Sequence, residues 1–102
     1  MSRLDQLRQL AAAQPDDPFT HYGVALECMN LEFWDDARAA LDRALALDPH
    51  YIAAHMQKAR VELRTGQRAA AAACLQAGIA AAQARADRHA AEEMTKMLEA
   101  LG

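Results

Sequence analysis

One interval constrains this chain more than any other feature: landmarks recur every 34 residues. Pro15 and Pro49 are separated by it (49 − 15 = 34), and so are Leu7 and Leu41, Ala25 and Ala59, Ala37 and Ala71, Leu41 and Leu75, and Leu45 and Ile79. His21, His55 and His89 carry it into a third copy. A fixed period of this length is the mark of a stacked array, in which each unit buries one face on its neighbour and equivalent positions meet equivalent surroundings. The matched residues are mainly small or apolar, as such burial requires.

The punctuation between landmarks predicts six helices. Ser2 is placed to cap a first helix over residues 4–13, with Leu4, Leu7 and Leu10/Ala11 on one face and Pro15 beyond its end. Asp16 and Asp17 precede Pro18, a cap and first-turn proline that start a second helix running to about Leu31. A third, from about Asp35 to Leu47, packs through Ala37, Leu41, Ala44 and Leu45 and stops at Asp48-Pro49, because a proline disfavours helix in the residue before it. The fourth spans about Tyr51 to Thr65, with Gly66 as the turn, and the fifth about Arg68 to Gln83. Asp87 caps a sixth helix to about Leu101, whose inner Ala91, Met94, Leu98 and Leu101 oppose a polar stripe of Arg88, Glu92, Thr95 and Glu99. Phe33 and Trp34 are expected to wedge the second and third helices together. Ala-rich composition, 4 Gly, and too little Val, Ile and Thr for a sheet agree with an all-α class.

These spacings resemble the tetratricopeptide repeat, a helix-turn-helix unit of 34 residues with apolar, small and proline landmarks at fixed offsets. Residues 18–51 form repeat 1 with His21, Val24-Ala25, Cys28, Ala37, Leu41, Ala44 and Asp48-Pro49. Residues 52–85 form repeat 2 with His55, Ala59, Gly66, Ala71, Leu75 and Gly78. Helix 4–13 aligns with the second half of an earlier repeat and 87–101 with the first half of a later one, a capping helix, so residues 1–102 read as one domain. The resemblance implies an all-α tetratricopeptide-like helical array, an α-α superhelix of about six antiparallel helices; a different all-α bundle is the rival architecture. The register is broken at Glu32, where a turn glycine is usual, at Lys58 and Glu62, which replace Leu and an aromatic, and at Gln83, which replaces the closing proline, so the fifth helix is expected to outrun the third.

Charge and motifs narrow the function. A net charge of −3, with Lys and Arg interspersed among Asp and Glu, leaves no basic stripe for phosphates, so no nucleic acid is expected. No uncharged apolar run approaches the ~20 residues of a membrane span, and the first residues lack the apolar core of a secretion signal. The expectation is a cytoplasmic, bacterial-type protein with no membrane association. Cys28 and Cys74 sit in apolar helical stretches and read as small hydrophobes in a reducing compartment, a disulfide being the alternative. His21, His55 and His89 share one repeat position, yet stacked helices hold equivalent residues about 8–10 Å or more apart, whereas zinc needs each nitrogen near about 2.0–2.1 Å. No metal and no cofactor is expected. Cys28 with His21, or Cys74 with His55, is not positioned by sequence for activation, and the paired acids at Asp16/Asp17, Asp35/Asp36 and Glu92/Glu93 fit helix starts or a solvated face. The chain reads as a non-enzyme.

What the resemblance implies is a surface. The groove positions of the family, carried over residue by residue, are Phe19, Tyr22, Leu26, Met29 and Asn30, then Ala53, Met56, Arg60, Leu63 and Arg64, with Asp87, Ala90, Met94, Met97 and Leu98 on the last helix. An apolar, Met-rich, aromatic floor bearing Arg60 and Arg64 suits a peptide or helix of a partner protein that offers apolar side chains and a carboxylate. The two-carboxylate clamp of chaperone-binding relatives is not matched, since its Lys and Asn residues are missing. The alternative is a self-associating scaffold, a homodimer or longer stack, that uses the same apolar surface.

Overall fold

The computed structural model describes residues 1–102 and contains six α-helices and no strand: α1 (Arg3–Ala13), α2 (Pro18–Asn30), α3 (Trp34–Leu47), α4 (Ile52–Arg64), α5 (Arg68–Ala84) and α6 (Arg88–Leu101). Local chemistry sets their starts. The Ser2 hydroxyl accepts from the Asp5 amide (3.1 Å) while the Asp5 carboxylate accepts from the Ser2 amide (3.3 Å), a reciprocal cap on α1. Asp17 accepts from the Phe19 amide (2.9 Å) ahead of Pro18, and Asp87 accepts from the Ala90 amide (3.0 Å). Helix α3 has no side-chain cap; Asp35 and Asp36 instead place negative charge against the partial positive charge of its first turn.

Three turns share one construction. At Glu32, Gly66 and Ala86 the backbone enters the left-handed region (φ 61°, 76° and 56°), and the next amide reaches back over the helix end: Phe33 to the Cys28 carbonyl, Gln67 to Glu62 and Asp87 to Ala82, at 2.7–2.8 Å. Only Gly66 adopts this geometry without a side-chain penalty. Phe33, expected as a wedge, occupies the cap position of α3 and is 47% exposed; Trp34 is half-buried. The left-handed turn at Glu32 immediately precedes Phe33, about half of whose surface is left to water.

Helices α1, α2 and α3 form a compact unit (Met1–Pro49), with α2 packed against both of the others; α4, α5 and α6 form a second (His50–Gly102), with α5 central. The first unit buries Leu4, Ala11, Val24, Ala25, Cys28, Ala37, Leu41 and Ala44. An exposed Arg8–Asp36 ion pair (3.4 Å) joins α1 to α3, worth little energetically because water screens it. The loop between α1 and α2 is tied down by the Thr20 hydroxyl, which donates to the Asp17 carbonyl (2.8 Å) or the Gln14 carbonyl (3.1 Å), and by His21, whose Nε2 donates to the Pro15 carbonyl (2.8 Å). A carbonyl can only accept, so that contact fixes the proton on Nε2 and gives His21 a structural task.

In the second unit, Ala59, Leu75, Ala82 and Met94 make a fully buried cluster against which Ile52, Met56, Cys74, Ile79, Ala90, Ala91, Met97, Leu98 and Leu101 pack. Gly78 is what allows it: a Cβ there would lie 2.5 Å from the Met94 sulfur and 3.0 Å from the His55 Cβ. As the absent proline at Gln83 implies, α5 runs to Ala84, three residues past the point equivalent to the end of α3 (47 + 34 = 81). No helix is long and apolar enough to cross a membrane.

Candidate partner-binding surface

The first unit carries a groove of about 640 Å³ between α1 and α2, lined by Arg3, Leu7, Phe19, Tyr22, Gly23, Leu26, Glu27 and Asn30. Its floor follows from two sequence choices. Gly23 has no side chain, so the Leu7 methyl approaches the α2 backbone at the centre of the groove; a Cβ on Gly23 would lie 3.6 Å from Leu7 Cδ2. Phe19, Tyr22 and Leu26 recur at spacings of three and four, which puts them on one face of α2. Phe19 is 69% exposed and Leu26 40%, a large apolar surface left to water. The polar end combines Arg3 on α1 with Glu27 and Asn30 on α2, where the Asn30 amide donates to the Glu27 carboxylate (3.3 Å). No carboxylate of the chain pairs with Arg3.

Of the residues expected from sequence, this groove gathers Phe19, Tyr22, Leu26 and Asn30; Met29, also on α2, is half-buried outside it. On α4, Leu63 (37% exposed) and Arg64 are exposed and Arg60 is half-buried, whereas Met56 packs against the core cluster of its unit. Met94 requires a correction. It has no exposed surface: its thioether fills the hollow above Gly78 and belongs to the core. The longer α5 explains why. The 34-residue register would put the cap of α6 at position 85 (17 + 68), but Asp87 supplies it, and a slip of two residues turns a helix by about 200°. Met94 thereby leaves the groove face for the core, Met97 and Leu98 pack beside it, and His89 becomes exposed.

Sequence reasoning missed Arg3, Leu7, Gly23 and Glu27. The signal was present: Gly23, Glu27 and Asn30 step by four and three beside Phe19, Tyr22 and Leu26 on α2, and Arg3 and Leu7 stand four apart on α1. A second groove, of about 620 Å³, runs along α5 and α6 in the second unit and is lined by polar and small residues including Asp87, Arg88, Ala91, Glu92, Lys96 and Glu99.

Both cysteines are free. Burial pushes the Cys28 thiol up from its ordinary value, with Arg8 opposing and Asp36 and Glu27 reinforcing the shift, so its reactive thiolate is disfavoured.

Antiparallel helix pairs with small residues at their crossings and a fixed repeat define the chain as an all-α helical-repeat protein. The model of the tetratricopeptide repeat matches residues 34–94, more than half of the chain, and the protein belongs to that family. No curated protein matches it. Among solved structures, PcrH in complex with the chaperone binding region of PopD superimposes with a TM-score of 0.90 at 19% identity, covering 96% of this chain and 74% of that one. The protein BPP2914 from Bordetella parapertussis is 27% identical, with a TM-score of 0.83 over 99% of this chain and 88% of the other. The TPR2B domain of yeast Sti1 in its pHsp70 complex gives 0.89 at 18% identity, over 96% and 78%.

Proposed function

We propose that this chain is a non-catalytic protein-interaction module that holds a peptide or helix of a partner protein on the face of α2. The observation that carries the reading is the groove beside α2, where Phe19 and Leu26 expose apolar surface over a floor of Leu7, Tyr22 and Gly23. Isolated exposed apolar residues are ordinary, but a contiguous set over a preformed concavity is the usual signature of a recognition site. The groove is built on packed helices, so the module gives up little conformational entropy on binding. In the second unit the exposed end of α4, with Leu63 and Arg64, is a further contact surface, Arg64 offering a donor fork for a carboxylate. The complexes of PcrH with PopD and of Sti1 with pHsp70 support protein partners for this fold.

The test is affinity capture followed by mass spectrometry, repeated with Tyr22→Ala, Leu26→Asp and Arg64→Glu while helicity is monitored by circular dichroism. Partner recovery falls in the two α2 variants with unchanged helicity; undiminished recovery rules the α2 face out.

A further inference from the structure

We infer that the turn joining α2 to α3 is a docking knob, which seats Leu31 and Phe33 in an apolar pocket, rimmed by lysine or arginine, on a partner protein. The knob lies outside the α1–α2 groove and is a second contact surface, separate from the face of α2.

Three turns of the chain are closed by the same backbone bonds. In the first, the amides of Leu31, Glu32 and Phe33 donate to the carbonyls of Glu27, Met29 and Cys28 (3.0, 3.0 and 2.8 Å). The pattern recurs in the amides of Thr65, Gly66 and Gln67, which donate to Val61, Leu63 and Glu62, and in those of Arg85, Ala86 and Asp87, which donate to Ala81, Gln83 and Ala82. The middle residue is left-handed each time. The residues on either side of it are therefore equivalent by local geometry: Leu31 and Phe33, Thr65 and Gln67, Arg85 and Asp87.

Two of the three turns are polar, so the turn itself asks for no apolar side chain. Thr65 satisfies its own hydroxyl by donating to the Val61 carbonyl (3.0 Å). The first turn instead holds a leucine and a phenylalanine that are 45% and 47% exposed. Single exposed apolar residues are ordinary, but this pair straddles one fixed turn and faces water together. Its three backbone bonds hold it in shape, so little conformational freedom is lost when it is seated.

Charge defines what meets it. The ten residues from Glu27 to Asp36 contain four acids (Glu27, Glu32, Asp35 and Asp36) and no lysine or arginine. The equivalent windows, 61–70 and 81–90, each contain one acid and two such cations. Glu32 even keeps a carboxylate at the tip of the turn, where glycine would carry no left-handed penalty. An anionic lipid surface repels such a turn, whereas a pocket with a cationic rim complements it. Neither groove of this chain offers that rim: Arg3 stands with Glu27 beside α2, and Arg88 and Lys96 stand among Asp87, Glu92 and Glu99. The pocket thus belongs to a different protein.

The test places the photocrosslinker p-benzoylphenylalanine at position 33 of the intact chain in its native cells, with position 67 of the polar turn as the control. The adduct is identified by mass spectrometry, and the captured protein is purified and titrated calorimetrically. An adduct is expected from position 33 and not from position 67. Phe33→Ser and Leu31→Ser weaken the purified partner about tenfold or more, Phe33→Leu restores most of the affinity, and Gln67→Ser changes nothing. Glu32→Gly relieves the turn yet weakens binding, by a smaller factor that shrinks in high salt.

No adduct at position 33, equal adducts at both positions, or a partner indifferent to Phe33→Ser overturns the inference. An adduct only to a second copy of the chain overturns it too, as does Phe33-dependent sedimentation with phosphatidylcholine–phosphatidylserine vesicles. A partner lost to Tyr22→Ala and Leu26→Asp but not to Phe33→Ser sinks the knob and leaves the α2 reading standing; the reverse sinks the α2 reading alone.

Discussion

The two units finish their open flanks in opposite ways. In the second, the exposed side of the α5–α6 pair is lined by Asp87, Arg88, Glu92, Lys96 and Glu99, and every large apolar side chain of α6 turns inward onto the cluster around Met94. In the first, the exposed side of the α1–α2 pair keeps Phe19 and Leu26 in water. The α5–α6 surface is polar and suits water; the α1–α2 surface leaves apolar area exposed, and that exposure is what the proposed interaction rests on.

The comparison is sharpened most by truncating the same kind of side chain in each unit. Met94→Ala removes a fully buried thioether from the second core and is expected to cost about 2–5 kcal/mol. Leu26→Ala, on the groove, should stay within about 0.5 kcal/mol. Hydrogen exchange resolved by mass spectrometry, comparing residues 50–102 with 1–49, measures both; a large loss from Leu26→Ala would mean the groove is core. The two helix glycines give the next largest contrast. Gly78→Ala forces a Cβ against the Met94 sulfur and His55 and should destabilise by about 1–3 kcal/mol. Gly23→Ala meets only ordinary contact with Leu7, so its gain in helix propensity should stabilise by about 0.5–1 kcal/mol. Urea denaturation decides the sign of each.

A smaller effect concerns the turns. Glu32→Gly relieves a left-handed side-chain conformation and is expected to raise stability by up to about 1 kcal/mol, the reverse of Gly66→Ala at the equivalent turn. Thermal melts of the two variants check it. The smallest is chemical: Cys28, buried and with its thiol pushed up, should react with a maleimide more slowly than half-buried Cys74, as followed by mass spectrometry at pH 7–8. Raising the pH should narrow the gap only as far as access to Cys28 allows.

The sequence made most of the fold legible because the repeat ties each helix to its neighbours: Pro15, Pro49 and Asp87 mark boundaries that the structure places within a residue or two of the expected ones. The site was half legible. Phe19, Tyr22, Leu26 and Asn30 follow from register alone, since nothing disturbs the 34-residue count between α1 and α2. Met94 did not, because the absence of proline at Gln83 lengthens α5 and rotates α6, a consequence that depends on where a helix stops. Phe33 and Trp34 were legible in part: Glu32 takes up the left-handed turn of a glycine without being one, Trp34 after it is half-buried, and Phe33 keeps about half of its surface in water. Leu7 and Gly23 required seeing that α1 supplies one wall of the groove.

The account stands or falls on where a partner protein touches the chain. Backbone amide shifts of the isotope-labelled protein, titrated with the partner that affinity capture recovers, locate it directly. The prediction is that Leu7, Phe19, Tyr22, Gly23 and Leu26 shift together and saturate at one affinity while Glu92, Lys96 and Glu99 stay still. Shifts confined to α5 and α6, or spread through the core around Met94, would contradict it.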